Sequence, residues 1–192
     1  SIWTWGFDKF YKLFNPRQLL TLVKLVKLIR EVGKKIEEEK LREGWSKEDA
    51  FKYAEAVSAY LAIWFVNFVR YYNVVTHWQD SYWGLLKVKH ALAFRGIAMT
   101  WSWCEFELIL GLKTFIAYTL ESLEYLVNAI SNSSGKVKIL LDDAAILSKL
   151  EYEKFNLIIT DPPYADDVAY AELSDFYFVW LKRALSDSDG SA

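Results

Sequence analysis

Apolar residues recur at helical spacing through the first third of the chain. Between Pro16 and Gly44 they form a stripe at intervals of three and four residues, which predicts one long amphipathic helix. Asn15 precedes the proline and is well suited to cap the first turn, because its side chain can accept a hydrogen bond from a free backbone N–H. The stripe consists of Leu19, Leu22, Val23, Val26, Ile29 and Ile36.

Two further helices are predicted downstream. Ser46 opens a Ser-Lys-Glu-Asp run that resembles a capping box, and the helix that follows extends to about Asn73. Its second half is apolar nearly all round, so it is expected to be buried. Residues 74–112 follow no sustained period, although a short helix near 85–94 is predicted. Another helix spans about 114–131.

The pattern changes after a Ser-Asn-Ser-Ser-Gly run that ends at Gly135. Residues 136–141 and 155–160 are short apolar segments followed by acidic or proline-rich turns, which predicts two buried strands. We therefore expect an α+β chain with segregated parts. An α-helical domain over residues 1–131 precedes part of a doubly wound, Rossmann-like α/β domain over residues 132–192.

The second predicted strand leads directly into Asp161-Pro-Pro-Tyr164. This run resembles the motif of the amino-methyltransferases, which transfer a methyl group from S-adenosylmethionine to the exocyclic amine of a nucleobase. The leading aspartate is most similar to the adenine-specific DNA branch. Residues 161–183 resemble large archaeal and bacterial adenine-specific DNA methylase-like proteins, and 14–20 and 59–62 are similar to their preceding helical region. Most of the chain is covered, but only the last stretch is specific.

The resemblance implies a role for each residue of the motif. Asp161 and the carbonyl of Pro162 would accept the two hydrogens of the target amine and so hold its nitrogen in transition-state geometry. Pro162 and Pro163 would keep the loop rigid, since proline fixes φ. Tyr164 would stack on the base extracted from the duplex. The alternative is that the run is simply a turn that ends a strand.

The resemblance also implies a cofactor contact upstream. Asp143 and Ala144 match the last two residues of a Gly-Asp-Ala run that binds the adenine of S-adenosylmethionine, while Asp142 stands in place of the glycine. A solvated acidic turn is the alternative. The glycine-rich cofactor loop of the same families has no counterpart among the eight scattered glycines. We therefore expect a fragment, inactive in isolation, whose cofactor loop lies upstream in a longer polypeptide or on a separate subunit.

Charge is distributed unevenly along the chain. Residues 1–113 carry 17 basic and 12 acidic side chains, a net charge of +5, whereas residues 114–192 carry 6 and 13, a net charge of −7. Any nucleic-acid backbone is thus expected on the helical half. Four basic residues of the first helix share roughly one quadrant and would form a phosphate-binding stripe, with a solvated outer face as the alternative. They are Arg17, Lys24, Lys27 and Lys34.

Other classes of protein fit the sequence poorly. A single cysteine, Cys104, excludes an internal disulfide, and two histidines make a zinc cluster implausible, so no metal site is predicted. The apolar core 56–69 is too short to span a membrane, and a cytoplasmic location is expected.

DNA adenine-N6 methylation is the leading function. The alternatives are methylation of RNA or of a protein glutamine, and a non-catalytic helical module that interacts with nucleic acid or protein. Glu105, Glu172 and Asp175 are acidic residues near the predicted motifs to which no role is assigned.

Overall fold

A computed structural model of the chain describes residues 2–80, 86–93, 95–97, 99–150, 154–164 and 167–186. The described part is mixed, with four long helices and one small antiparallel sheet. Two 3-10 helices, Ile2–Trp5 and Phe10–Leu13, precede the elements α1 (Pro16–Arg42), α2 (Lys47–Val69), β1 (His77–Asp80), β2 (Leu86–Lys89), α3 (Leu108–Ser131) and α4 (Tyr170–Leu185).

The ends of α1 follow from local chemistry, as predicted. The Asn15 side chain accepts the backbone N–H of Gln18 at 2.8 Å, and the Gln18 side chain accepts the N–H of Asn15 at 3.0 Å, which completes a capping box. At the other end Gly44 adopts a left-handed φ of +89°. Its N–H bonds to the carbonyl of Leu41, and the N–H of Trp45 bonds to that of Lys40, so the helix ends in a Schellman motif.

The hydrophobic core lies where α1, α2 and α4 meet. Leu22, Val26 and Ile29 of α1 are buried against the apolar second half of α2, which confirms these three members of the stripe and the buried helix. Leu19 and Ile36 are half-buried, and Val23, predicted to belong to the stripe, is 40% exposed. α4 packs on both helices and buries Phe176, Trp180 and Ala184. The helix after the motif therefore contributes to the core of the helical part. The domain boundary near residue 131 stays a prediction.

α3 is apolar but largely exposed. It begins at Leu108, six residues earlier than predicted, because the Glu107 side chain accepts the N–H groups of Ile109 and Leu110. Gly111 is its only buried residue, and a β-carbon there would run into the ring of Phe106. Its exposed large apolar side chains are Ile109, Leu110, Ile116, Tyr118, Leu120, Tyr125, Leu126, Val127 and Ile130.

The two predicted strands are wrong in this structure. Residues 136–141 and 155–160 form neither helix nor strand, and their apolar side chains face solvent, Ile139 at 90% exposure and Ile159 at 84%. A strand needs a neighbouring strand for its backbone hydrogen bonds, and the described residues offer these segments none. The doubly wound sheet is therefore not formed by the described residues.

The observed sheet lies instead within residues 74–112, whose apolar positions follow no sustained period. β1 pairs antiparallel with β2 in the register His77↔Lys89, Trp78↔Val88. The predicted short helix near 85–94 is thus wrong. The Leu-Lys-Val-Lys sequence of β2 alternates apolar and charged residues, which is the period of a half-exposed strand. None of the described helices has the length and apolar character required to traverse a lipid bilayer.

His90, directly after β2, makes stability depend on pH. Burial, reinforced by the nearby charges of Arg70 and Lys89, lowers the pKa of His90 from 6.5 to about 4. Its Nδ1 accepts the N–H of Leu92 at 3.2 Å, which also requires the neutral ring. The folded state then binds fewer protons than the unfolded state between these pH values, so stability is complete above pH 6.5 and falls towards pH 4.

We expect this dependence to amount to roughly 1–2 kcal/mol after solvent screening. In His90→Asn the amide can still accept the Leu92 N–H but does not titrate, so urea unfolding at pH 7, 5.5 and 4.5 should show a shallower loss. His77→Asn is the comparison variant: burial lowers the pKa of His77 as well, so this variant should remove part of the dependence and leave the larger part, which comes from His90. A parental pH dependence in His90→Asn would contradict the assignment.

Candidate active-site loop

The Asp161-Pro-Pro-Tyr164 loop is extended and open to solvent. All four residues are exposed, and the Tyr164 side chain has 63% of its surface accessible. Neither an ion pair nor a hydrogen bond links the Asp161 carboxylate to another described residue. The carboxylate, the proline carbonyl and the tyrosine ring therefore all stand where an external molecule can reach them.

One end of the loop is attached to the helical part. The backbone N–H of Tyr164 donates to the hydroxyl of Tyr170, the first residue of α4, at 3.3 Å. Asp167 forms an ion pair with Arg95, and the N–H of Ala169 donates to the Arg95 carbonyl at 2.9 Å. α4 is in turn buried in the core, so its N-terminal turn gives the loop a fixed base.

Gly96 lies where residues 95–97 approach the N-terminal end of α4 closely. A β-carbon at Gly96 would lie 3.3 Å from the Glu172 carboxylate and 3.5 Å from Ala169. Ile97, the next residue, is buried in the core. Glu172, to which the sequence assigned no role, thus lies at this junction, whereas Asp175 is exposed on α4.

The candidate cofactor residues lie in a separate closed turn. The Asp143 carboxylate accepts the N–H of Ala145 at 2.8 Å, and Ala144 is exposed. Asp142 accepts the N–H of Lys149 and the hydroxyl of Ser148, which closes the turn and lowers the pKa of Asp142, the Lys149 bond being the larger cause.

Sequence reasoning missed this function of Asp142. It treated the residue only as the replacement of a glycine, although an aspartate that bonds the following backbone is a common turn signal. Among the described residues no hydrogen bond or ion pair joins this turn to the 161–164 loop. The structure therefore does not bring the two predicted sites into direct contact.

The four basic residues predicted to contact phosphate are all exposed on α1. Arg17 is already engaged, because its Nη2 lies 2.6 Å from both carboxylate oxygens of Glu105. The partner lies 88 residues away in sequence, so no local pattern predicts this pair. Lys24, Lys27 and Lys34 remain the better candidates for the stripe.

Salt dependence of duplex binding tests the stripe. Replacing Lys24, Lys27 and Lys34 together with glutamine should reduce the slope of log affinity against log salt by about 2.7, since each lost phosphate contact removes about 0.9. Arg17→Gln should change it less, because Glu105 competes for the guanidinium. Lys12→Gln, which removes an exposed lysine paired with Asp8, is the control. An unchanged slope in the triple variant would show that these lysines belong to a solvated face and do not contact phosphate.

Other catalytic chemistries find little support. Cys104 is buried, and burial raises the pKa of its thiol, which disfavours a thiolate nucleophile. In the described part of the chain, no cluster of three or more histidine, cysteine or acidic side chains is arranged to hold a metal ion.

Comparison of the chain with protein families, with curated proteins and with solved structures finds no match.

Proposed function

We propose that this chain carries the amine-orienting part of an S-adenosylmethionine-dependent methyltransferase that acts on adenine N6 of DNA in the cytoplasm. The observation that carries the proposal is the exposed Asp161-Pro-Pro-Tyr164 loop, attached through Tyr170 to a helix buried in the core. Within four residues the loop presents a carboxylate and an aromatic ring to solvent, as the proposed contacts to an extracted base require.

The loop has the groups that this chemistry requires. The lone pair of an aromatic amine is delocalised into the ring, so the nitrogen must be held in the geometry that it adopts as the new bond forms. The Asp161 carboxylate and the Pro162 carbonyl accept one amine hydrogen each. A charge-assisted bond of this kind contributes roughly 1.5–3 kcal/mol. The Tyr164 ring offers a stacking surface worth about 1–3 kcal/mol, which offsets the few kcal/mol required to extract a base.

S-adenosylmethionine supplies the methyl group in this proposal. The turn at Asp143 would supply one contact to the cofactor, since Ala145 takes only one carboxylate oxygen of Asp143 and Ala144 is open to solvent. The rest of the site must come from a glycine-rich loop outside this chain. The unpaired apolar segments 136–141 and 155–160 support such an arrangement, because they have the composition of strands in a larger sheet.

Calorimetry with S-adenosylmethionine tests the proposal. The 192-residue chain alone should bind the cofactor weakly, whereas a polypeptide or complex that adds the glycine-rich loop should bind with micromolar or better affinity. Asp143→Ala should weaken that binding, and Asp175→Ala, at an exposed position of α4, is the matched control. A loop-containing protein that does not bind the cofactor would overturn the proposal. It would favour instead the non-catalytic interaction module, to which the exposed apolar surface of α3 is suited.

A further inference from the structure

A concave site lies on the side of the helical part formed by the 3-10 helix Phe10–Leu13, α1 and α4. The cleft has a volume of about 350 Å³, at the lower end of the range of roughly 300–1,000 Å³ that is typical of small-molecule pockets. Its walls include Phe10, Leu19 and Val23, and the buried Trp180 also lines it. An apolar body of limited size can therefore be enclosed there.

The walls hold this shape because they belong to the core. Trp180 packs edge-on against Phe14, another wall residue, with ring centroids 5.3 Å apart, and against Phe65 of α2 at 5.6 Å. Phe14 is itself 6% exposed. Side chains fixed in this way lose little further freedom when a ligand enters, which favours binding.

The charged residues that line the cleft are both basic. Lys9 and Arg183 are both exposed and stand among its lining residues, none of which is acidic. They approach from different elements, Lys9 from the N-terminal side of the 3-10 helix and Arg183 from the last turn of α4. Two cations beside an apolar floor are complementary to a molecule with one anionic group and one apolar body.

We propose that this cleft binds a small organic anion, a carboxylate or phosphate attached to a flat aromatic or short apolar body. The apolar part lies against Trp180 and Val23, and the anionic group lies between Lys9 and Arg183. This binding is independent of the methyl-transfer loop, since none of the residues 161–164 lines the cleft.

Isothermal titration of the 192-residue chain with 2-naphthoate, 2-naphthyl phosphate and uncharged 2-naphthylmethanol tests the proposal. We expect one saturable site for the anions and at least tenfold weaker binding of the alcohol. A preference for the phosphate over the carboxylate, or the reverse, identifies which anion the two cations favour. The double variant Lys9→Glu, Arg183→Glu should lose the preference for anions at least tenfold, whereas Lys35→Glu, at an exposed position of α1 outside the cleft, should keep it.

A filling variant separates this cleft from other apolar surface. Val23 is 40% exposed, so Val23→Trp should fold normally, as circular dichroism can verify, yet occupy the cleft and abolish binding of all three probes. Parental binding by folded Val23→Trp would show that the probes bind elsewhere, for example on α3, and would overturn the proposal. Equal affinity for anions and alcohol, or the absence of saturable binding, would overturn it as well.

Discussion

Asp161→Ala should lower kcat for methyl transfer by about tenfold to about 150-fold in a protein that contains the cofactor loop. The range corresponds to the loss of one charge-assisted hydrogen bond of roughly 1.5–3 kcal/mol to the target amine. Affinity for S-adenosylmethionine should stay nearly parental, since a bond that strengthens in the transition state affects the chemical step more than ground-state binding. Single-turnover kinetics and cofactor titration measure the two effects separately.

Neighbouring positions provide the controls for Asp161. Tyr164→Ala should act partly on substrate binding, because it removes a stacking surface worth about 1–3 kcal/mol, and Tyr164→Phe should be mild because it keeps the ring. A mismatched target base should suffer less from Tyr164→Ala, since less flipping energy has to be recovered. Asp143→Ala should have the opposite effect to Asp161→Ala: it should weaken cofactor binding and change the chemical step little. Parental turnover by Asp161→Ala would show that the loop is only a turn and does not orient the amine.

Trp180→Ala should destabilise the fold by about 3–5 kcal/mol, the range expected when a large aromatic side chain is removed from a core. Trp180 is 5% exposed and joins α4 to both Phe14 and Phe65, so its loss leaves a cavity at the point where three segments meet. Urea unfolding followed by circular dichroism measures the change in the free energy of unfolding.

Phe178 offers a matched control on the same helix. Its side chain is 56% exposed, and Phe178→Ala should change the free energy of unfolding by no more than about 0.5 kcal/mol. Equal effects of Trp180→Ala and Phe178→Ala would contradict the docking of α4 on α1 and α2. Because α4 also anchors Tyr164 through Tyr170, such a result would remove the fixed base of the candidate loop.

The helices were predictable because their signals are local. Asn15 and Gly44 bound α1 through hydrogen bonds within a few residues, and Ser46 begins α2 by accepting the N–H of Asp49 at 3.1 Å. A sequence contains all the partners of such motifs. The early start of α3 depends on a glutamate cap at Glu107, which is a weaker signal than serine or asparagine.

The strands were less predictable because pairing is not local. Residues 136–141 and 155–160 have strand composition, but composition does not provide a neighbour, and both segments stay unpaired among the described residues. The pair that does form, β1 with β2, lies in a stretch for which a short helix was predicted, because four alternating residues in β2 are too short a pattern to indicate a strand by themselves. Local pattern therefore identified neither the strands that form nor their pairing.

The surroundings of the candidate loop show the same limit. The motif itself can be read from the sequence, because its four residues are consecutive. The contacts that attach the loop to the helical part cannot be read from the sequence. Arg95 and Asp167 lie 72 residues apart and meet only when α4 packs on the helical part. The Arg17–Glu105 pair likewise depends on tertiary structure, and it changes the predicted phosphate stripe by occupying one of its four members.

Products of methyl transfer show directly whether Asp161-Pro-Pro-Tyr164 orients an adenine amine for methylation. The most direct measurement is mass spectrometry of nucleosides from DNA incubated with S-adenosylmethionine and the loop-containing protein, with RNA and a glutamine-bearing polypeptide as parallel substrates. We expect N6-methyladenine in DNA from the parent protein and a strongly reduced yield from Asp161→Ala. Methylation confined to RNA or glutamine, or no methylated product although the protein binds the cofactor, would contradict this expectation.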